Sequence, residues 1–114
     1  NESVLAIRAA RDVSALPVVA TFAFGPGLRT MMGQSVADCV RGAVDAGAAV
    51  VGANCGSGLT LDDYVTLARQ IVDAAGATPT ILQPNAGLPK QVDGRTVYDA
   101  TPEQFAALAT RLLE

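Results

Sequence analysis

The sequence predicts an α/β protein made of three consecutive βα units with parallel strands, and three observations support this. Short apolar segments with strand character begin near Val18, Ala49 and Thr80. Their spacing is about 31 residues, a length typical of a repeated strand–helix unit. A segment with helical periodicity follows each strand, and the strands lack strict apolar–polar alternation. Since buried parallel strands have this character, we expect both faces of the sheet to be covered.

The first half of the chain is predicted to alternate between helix and strand. Residues 2–13 have helical character, and residues 18–24 form a β-rich run. Ser35 is a suitable N-cap for the second helix, and Gly47 is suited to end it at the C′ position. Residues 48–54 are then predicted to form the second strand.

The second half contains two predicted helices with clear start signals. Thr60 and Asp63 have the spacing of a capping box, and Gly76 is suited to end the helix that they begin. Residues 101–104 supply an N-cap, a first-turn proline and a capping-box glutamine for the last helix. The residues predicted to face inward are Leu61, Tyr64, Val65, Ala68, Ile71, Val72 and Ala75 in the third helix and Phe105, Leu108, Ala109 and Leu112 in the last.

Between these helices we predict a third strand over residues 80–83, an exit loop over 84–89 and a polar loop over 90–100. Three βα units are too few to close a barrel and few for a free-standing doubly wound sheet. The pattern is most similar to part of a (β/α)₈ TIM barrel, and nothing marks a second domain. We therefore expect residues 1–114 to form a single partial domain.

Composition and charge exclude several classes of partner. The chain is 50% hydrophobic and 17% charged, which is typical of a globular domain. Its net charge is −3 and its eight basic residues are scattered, whereas nucleic-acid binding needs clustered Lys and Arg. No apolar run reaches the ~18 residues that a bilayer requires, and the N-terminus lacks the order of a signal peptide. We expect no nucleic-acid or membrane partner and a cytoplasmic location.

Candidate chemistry is concentrated at the ends of the predicted strands, where parallel α/β proteins place their functional residues. Cys55 follows the second strand and is flanked by glycines in the run Val-Gly-Ala-Asn-Cys-Gly of residues 51–56. The chain has no His, which excludes Ser-His-Asp and Cys-His nucleophiles and imidazole ligands. Cys55 is then a loop thiol, a nucleophile without a visible base, or one ligand of a metal site that needs at least three.

Other polar residues have open or structural interpretations. Asn85 could form an Asx-turn or could donate its amide to a substrate carboxylate. Cys39 lies within a predicted helix and is interpreted as an inert core residue. Asp62 and Asp63 have the position of helix-start acids.

Two segments together are similar to those of a known family. They are residues 51–56 and the run Gln-Pro-Asn-Ala-Gly-Leu-Pro of residues 83–89, about thirty residues further on. As a pair they resemble the homocysteine S-methyltransferases, and within that family the homocysteine-binding domain of the cobalamin-dependent methionine synthase type. The resemblance extends over nearly the whole chain in the right order.

The resemblance implies a site as well as a fold. Members of the family have a (β/α)₈ barrel with zinc at its C-terminal mouth, held by one cysteine after the sixth strand and two after the eighth. Cys55 would be the first zinc ligand, and the strands here would be the fifth to seventh. Asn54 and Asn85 would line the mouth beside homocysteine or a similar thiol. Zinc favours the thiolate, which accepts a methyl group from a donor such as cobalamin on a corrinoid domain.

The resemblance also implies that the site is incomplete. The paired cysteines would lie beyond Glu114 and four strands would precede this segment, so we expect a fragment that is inactive alone and binds zinc poorly. Open sheet edges would allow a homo-oligomer. Two alternatives stay open: a related zinc enzyme that moves methyl groups between a corrinoid protein and another thiol, and a non-catalytic half-barrel that serves as a structural or assembly unit.

Overall fold

The computed structural model describes residues 2–114 and confirms the α/β class. Three parallel strands alternate with helices, and a hairpin precedes the last helix. The helices are α1 (Glu2–Val13), α2 (Val36–Asp45), α3 (Leu61–Ala75) and α4 (Pro102–Leu113), and the strands are β1 (Val19–Phe22), β2 (Val50–Asn54), β3 (Thr80–Gln83), β4 (Pro89–Val92) and β5 (Arg95–Tyr98).

The main sheet has the order β1-β2-β3, with β2 at its centre. Val19 pairs with Val50, and Asn54 pairs with Gln83, so the three strands run in parallel and in step. Their carboxyl ends therefore lie side by side at one end of the sheet. Within residues 2–114, the outer edges of β1 and β3 have no strand partner.

Helices cover one face of this sheet. Val51 and Ala53 are buried on that face, in the same core as residues of α2 and α3. Strand alternation places Val19 on the opposite face, where it is 54% exposed. The expectation that both faces are covered is thus wrong for β1, since no described element packs over Val19.

The predicted N-caps are all confirmed. The side chains of Ser35, Thr60 and Thr101 each accept a hydrogen bond from the main-chain N–H three residues on. In α3 and α4 the residue at that third position, Asp63 or Gln104, bonds back to the N-cap N–H and completes a capping box. Each such cap stabilises its helix by about 1 kcal/mol.

The buried stripe of α3 differs slightly from the predicted one. Leu67 is 1% exposed although it was not among the inward residues, whereas Val72 is 53% exposed. Val72 lines a groove between α3, β3 and α4 instead of the core. In α4 only Leu108 is fully buried, and Ala109 borders the same groove. The predicted inward faces are therefore correct in their centre and wrong at the side beside β3.

The predicted polar loop over 90–100 is wrong, because β4 and β5 form an antiparallel hairpin there. Asp93 and Gly94 make its two-residue turn, with φ of 48° and 72°. An Asp-Gly pair between two extended segments favours this type of turn, since both central residues need positive φ. All eight strand residues are exposed, so no burial pattern in the sequence indicates the strands.

Within residues 2–114, no helix combines the length and the apolar character that crossing a bilayer requires. The longest, α3, has 15 residues and carries polar residues along one side.

Candidate functional site

Cys55 lies at the carboxyl end of the central strand with an exposed side chain. Its main-chain N–H donates to the carbonyl oxygen of Gln83 at 3.1 Å, which extends the pairing of β2 with β3 by one residue. The thiol itself makes no hydrogen bond to another described residue. Cys55 therefore has a fixed backbone and an available sulfur.

Gly56, the next residue, makes hydrogen bonds through both its main-chain N–H and its carbonyl. Its N–H donates to the hydroxyl of Tyr64 at 3.3 Å, and its carbonyl accepts from Nδ2 of Asn85 at 3.0 Å. A Cβ at this position would lie 2.6 Å from the carbonyl oxygen of Phe24 and would also collide with the side chain of Leu59. Glycine is needed here for close packing and not for a positive φ.

Asn85 connects the exit loops of β2 and β3. Besides its side-chain bond to Gly56, its main-chain N–H donates to the Tyr64 hydroxyl at 3.2 Å. One amide N–H of Asn85 is thus used within the protein, and the bond extends to a residue 29 positions away, not to its own turn. The side-chain oxygen of Asn85 accepts no hydrogen bond from the described residues and can face a ligand.

Asn54 lies beside this arrangement but is not tied to it. Strand alternation places its side chain on the sheet face opposite Val51 and Ala53, away from the helices. It is half-buried, and its amide makes no side-chain hydrogen bond to the described residues. The structure therefore brings Cys55 and Asn85 together through Gly56, with Asn54 next to them on the uncovered face.

Tyr64 is the residue of this site that the sequence did not indicate. It was predicted only as part of the inward face of α3, and it is indeed 1% exposed. A buried tyrosine needs a partner for its hydroxyl, and that requirement is the signal that could have identified it. Its partners are the loops that carry Cys55 and Asn85.

The remaining candidate residues have structural roles. Cys39 is buried in α2, and burial, with the nearby Asp38 carboxylate, raises the pKa of its thiol, as expected of an inert core residue. Asp63 accepts from the N–H and the hydroxyl of Thr60, which lowers the pKa of its carboxyl group. Asp62 pairs with Arg111 at 2.7 Å.

The family model of the homocysteine S-methyltransferases matches residues 2–114 of the chain. The chain belongs to the homocysteine S-methyltransferase family. A search of curated proteins found no match. The two segments that carried the resemblance, 51–56 and 83–89, are the ones that Tyr64 and Asn85 join in the structure.

The zinc that the family resemblance implies can be tested against these residues. A thiolate such as that of Cys55 is a suitable zinc ligand, but a zinc site needs at least three protein ligands. Among residues 2–114 no three Cys, His, Asp or Glu side chains come together in a way that could hold a metal ion. The described residues therefore include one exposed thiol of the kind that zinc binds, that of Cys55, and do not make a zinc site by themselves.

Proposed function

We propose that the chain is part of a zinc-dependent thiol methyltransferase of the methionine synthase type, with homocysteine or a similar thiol as the methyl acceptor. The observation that carries this proposal is the exposed thiol of Cys55 at the carboxyl end of the central strand, tied through Gly56 to Asn85. Family membership supports thiol methyl transfer. The two free cysteines fit a reducing compartment, and we propose the cytoplasm.

In this proposal Cys55 is one zinc ligand and the others come from outside residues 2–114. Bound zinc would lower the pKa of the acceptor thiol and so supply a thiolate at neutral pH. Asn54 and the free side-chain oxygen of Asn85 would bind the amino-acid end of the acceptor. The chemistry would be methyl transfer to the acceptor sulfur: a bond from sulfur to the methyl carbon would form, and the electron pair of the broken bond would stay with a donor of the methylcobalamin class on a corrinoid domain.

The test is metal binding by the reduced chain with homocysteine present, since homocysteine adds a second sulfur. Co²⁺ is the probe, because thiolate ligation gives it a charge-transfer absorption. We expect weak uptake, with an absorption above that of cobalt and homocysteine without protein, in the unmodified chain and in Cys39→Ala, the matched control. Cys55→Ala should lose this excess absorption and keep its fold, because an exposed thiol contributes little packing. Binding that is unchanged in Cys55→Ala, or loss of fold without loss of metal, would contradict the ligand assignment.

A second candidate, a non-catalytic assembly unit, is favoured by the edge of β3. The open strand borders a groove of about 380 Å³ whose lining includes Ile81, Leu82 and the exposed Leu113. Open sheet edges pair readily with other chains. A metal-free oligomer that is stable on dilution, measured by light scattering, would favour this candidate, and a monomer would argue against it.

A further inference from the structure

Three hydrogen bonds form a closed ring around the candidate site. The Tyr64 hydroxyl accepts from the main-chain N–H of Gly56 at 3.3 Å and from that of Asn85 at 3.2 Å. Nδ2 of Asn85 then donates to the Gly56 carbonyl at 3.0 Å and closes the ring. Tyr64 is the only member on a helix, so its hydroxyl joins α3 to the exit loops of β2 and β3.

The ring fixes the backbone on the C-terminal side of Cys55, whereas the sheet fixes it on the N-terminal side. The N–H of Cys55 is fixed on Gln83 by the strand pairing. The following peptide group is fixed by Tyr64, and the next carbonyl by Asn85. Since both flanking peptides are hydrogen-bonded, rotation about its own Cα–Cβ bond is the main freedom left to the thiol.

The surroundings leave the N–H of buried Gly56 few other acceptors, whereas Asn85 is half-buried. Tyr64 and Leu59 are both buried, and Gly56 packs closely against the carbonyl of Phe24. Removing the hydroxyl would therefore leave the buried Gly56 N–H and the half-buried Asn85 N–H without this partner. An unpaired buried donor is costly unless water enters between the loops.

We propose that Tyr64 is the positioning residue for Cys55, and that its hydroxyl sets where the thiol lies relative to Asn85. The importance of that position rests on the proposed function, whereas the positioning itself does not. Tyr64 acts through Gly56 and Asn85 and is not a metal ligand.

The experiment compares Tyr64→Phe with Tyr98→Phe, since Tyr98 is the other tyrosine of the chain and is exposed in the hairpin. Amide hydrogen exchange is measured by NMR on the reduced chain. In Tyr64→Phe we expect the amides of Gly56 and Asn85 to exchange at least ~10-fold faster relative to the Val51 amide, which the sheet holds. No such difference is expected in Tyr98→Phe. Unchanged exchange at Gly56 and Asn85, or an equal rise at all three amides, would overturn the proposal.

A second variant covers the case in which Tyr64→Phe does not fold. In the Tyr98→Phe background, 3-fluorotyrosine enters only at Tyr64 and makes the hydroxyl a weaker acceptor without deleting it. The Gly56 and Asn85 amides should then exchange faster by a smaller factor, and exchange equal to that of the unlabelled protein would overturn the proposal.

Metal binding separates this inference from the proposed function. If the chain binds no Co²⁺ through Cys55 but Tyr64→Phe still frees the two amides, the positioning is upheld and the proposed function fails. If Co²⁺ binding depends on Cys55 while Tyr64→Phe changes neither the exchange nor the cobalt absorption, the positioning is overturned and the function is upheld.

Discussion

Cys39 and Cys55 carry the same side chain in two regions that are stabilised in different ways. Cys39 is 1% exposed in α2, on a stripe with Val36, Val40 and Ala43 that packs into the core. Cys55 is exposed beyond the end of β2, where main-chain hydrogen bonds fix its backbone. Apolar packing thus buries the thiol of Cys39. Hydrogen bonds from residues distant in sequence fix the backbone that carries the exposed thiol of Cys55.

The difference means that only one of the two thiols is accessible to a metal ion or a reactant. A buried thiol with a raised pKa stays protonated and contributes as a small apolar group. An exposed thiol on a fixed backbone can meet a metal or a reactant with little reorganisation. The hydrogen bonds of the β2 exit therefore matter to the candidate site together with the cysteine itself.

The largest expected effect is the difference in thiol reactivity. In the native protein, iodoacetamide should modify Cys55 at least ~10³-fold faster than Cys39, because Cys39 becomes accessible only when the core opens. Mass spectrometry of timed samples measures both rates, and the same reaction in denaturant is the control in which the difference should disappear. Comparable rates in the native protein would show that the two regions are not distinct.

A second expected effect concerns the glycines beside the two cysteines. Gly56→Ala should lower the free energy of unfolding by about 1–3 kcal/mol, since the new methyl group overlaps the Phe24 carbonyl and the Leu59 side chain. Gly42→Ala in α2 is the matched control, because its Cβ would lie 3.5 Å from the nearest atom, in Val4. That change should raise stability by about 0.5–1 kcal/mol through helix propensity.

Chemical denaturation of both variants measures these changes. Equal effects at Gly42 and Gly56 would mean that the β2 exit is packed no more tightly than the surface of a helix. A loss of Cys55 from its fixed position in Gly56→Ala would also appear as altered protection of the Asn85 amide.

The region of Cys39 could be predicted from the sequence, and most of the region of Cys55 could not. Helical periodicity and the Ser35 cap are local signals, and they place α2 and its buried face correctly. The sequence also predicts the strand before Cys55, and therefore the position of the thiol at the carboxyl end of that strand. The bonds of Gly56 join residues 8 and 29 positions apart, and no local pattern encodes such contacts.

Two other differences between the prediction and the structure have separate physical origins. The hairpin of β4 and β5 is exposed on all its strand residues, so only its Asp-Gly turn indicates it. The buried stripe of α3 is displaced toward Leu67 because helical periodicity alone does not say on which side a helix meets its neighbours. Tertiary contacts thus decide the buried stripe of α3, whereas the hairpin has a local signal in its turn and lacks only a burial pattern.

The smallest expected effect is a loss of Gly56 amide protection at low pH, caused by protonation of a carboxylate at the start of α3. Hydrogen bonds from Thr60 lower the pKa of Asp63 in the folded protein, so this carboxylate stabilises the fold above the unfolded pKa of about 3.9. That contribution is lost as pH falls through the lower, folded pKa. Tyr64 follows Asp63 in the first turn of α3, so the Gly56 amide should lose protection over the same acid range. In Asp63→Asn this pH dependence should be weaker, since only that of Asp38 and Asp99, whose pKa values are also lowered, would remain. Asp12→Asn, in α1, should retain it in full. Equal pH dependence of Gly56 exchange in the two variants would show that the N-cap of α3 does not affect the backbone beside Cys55.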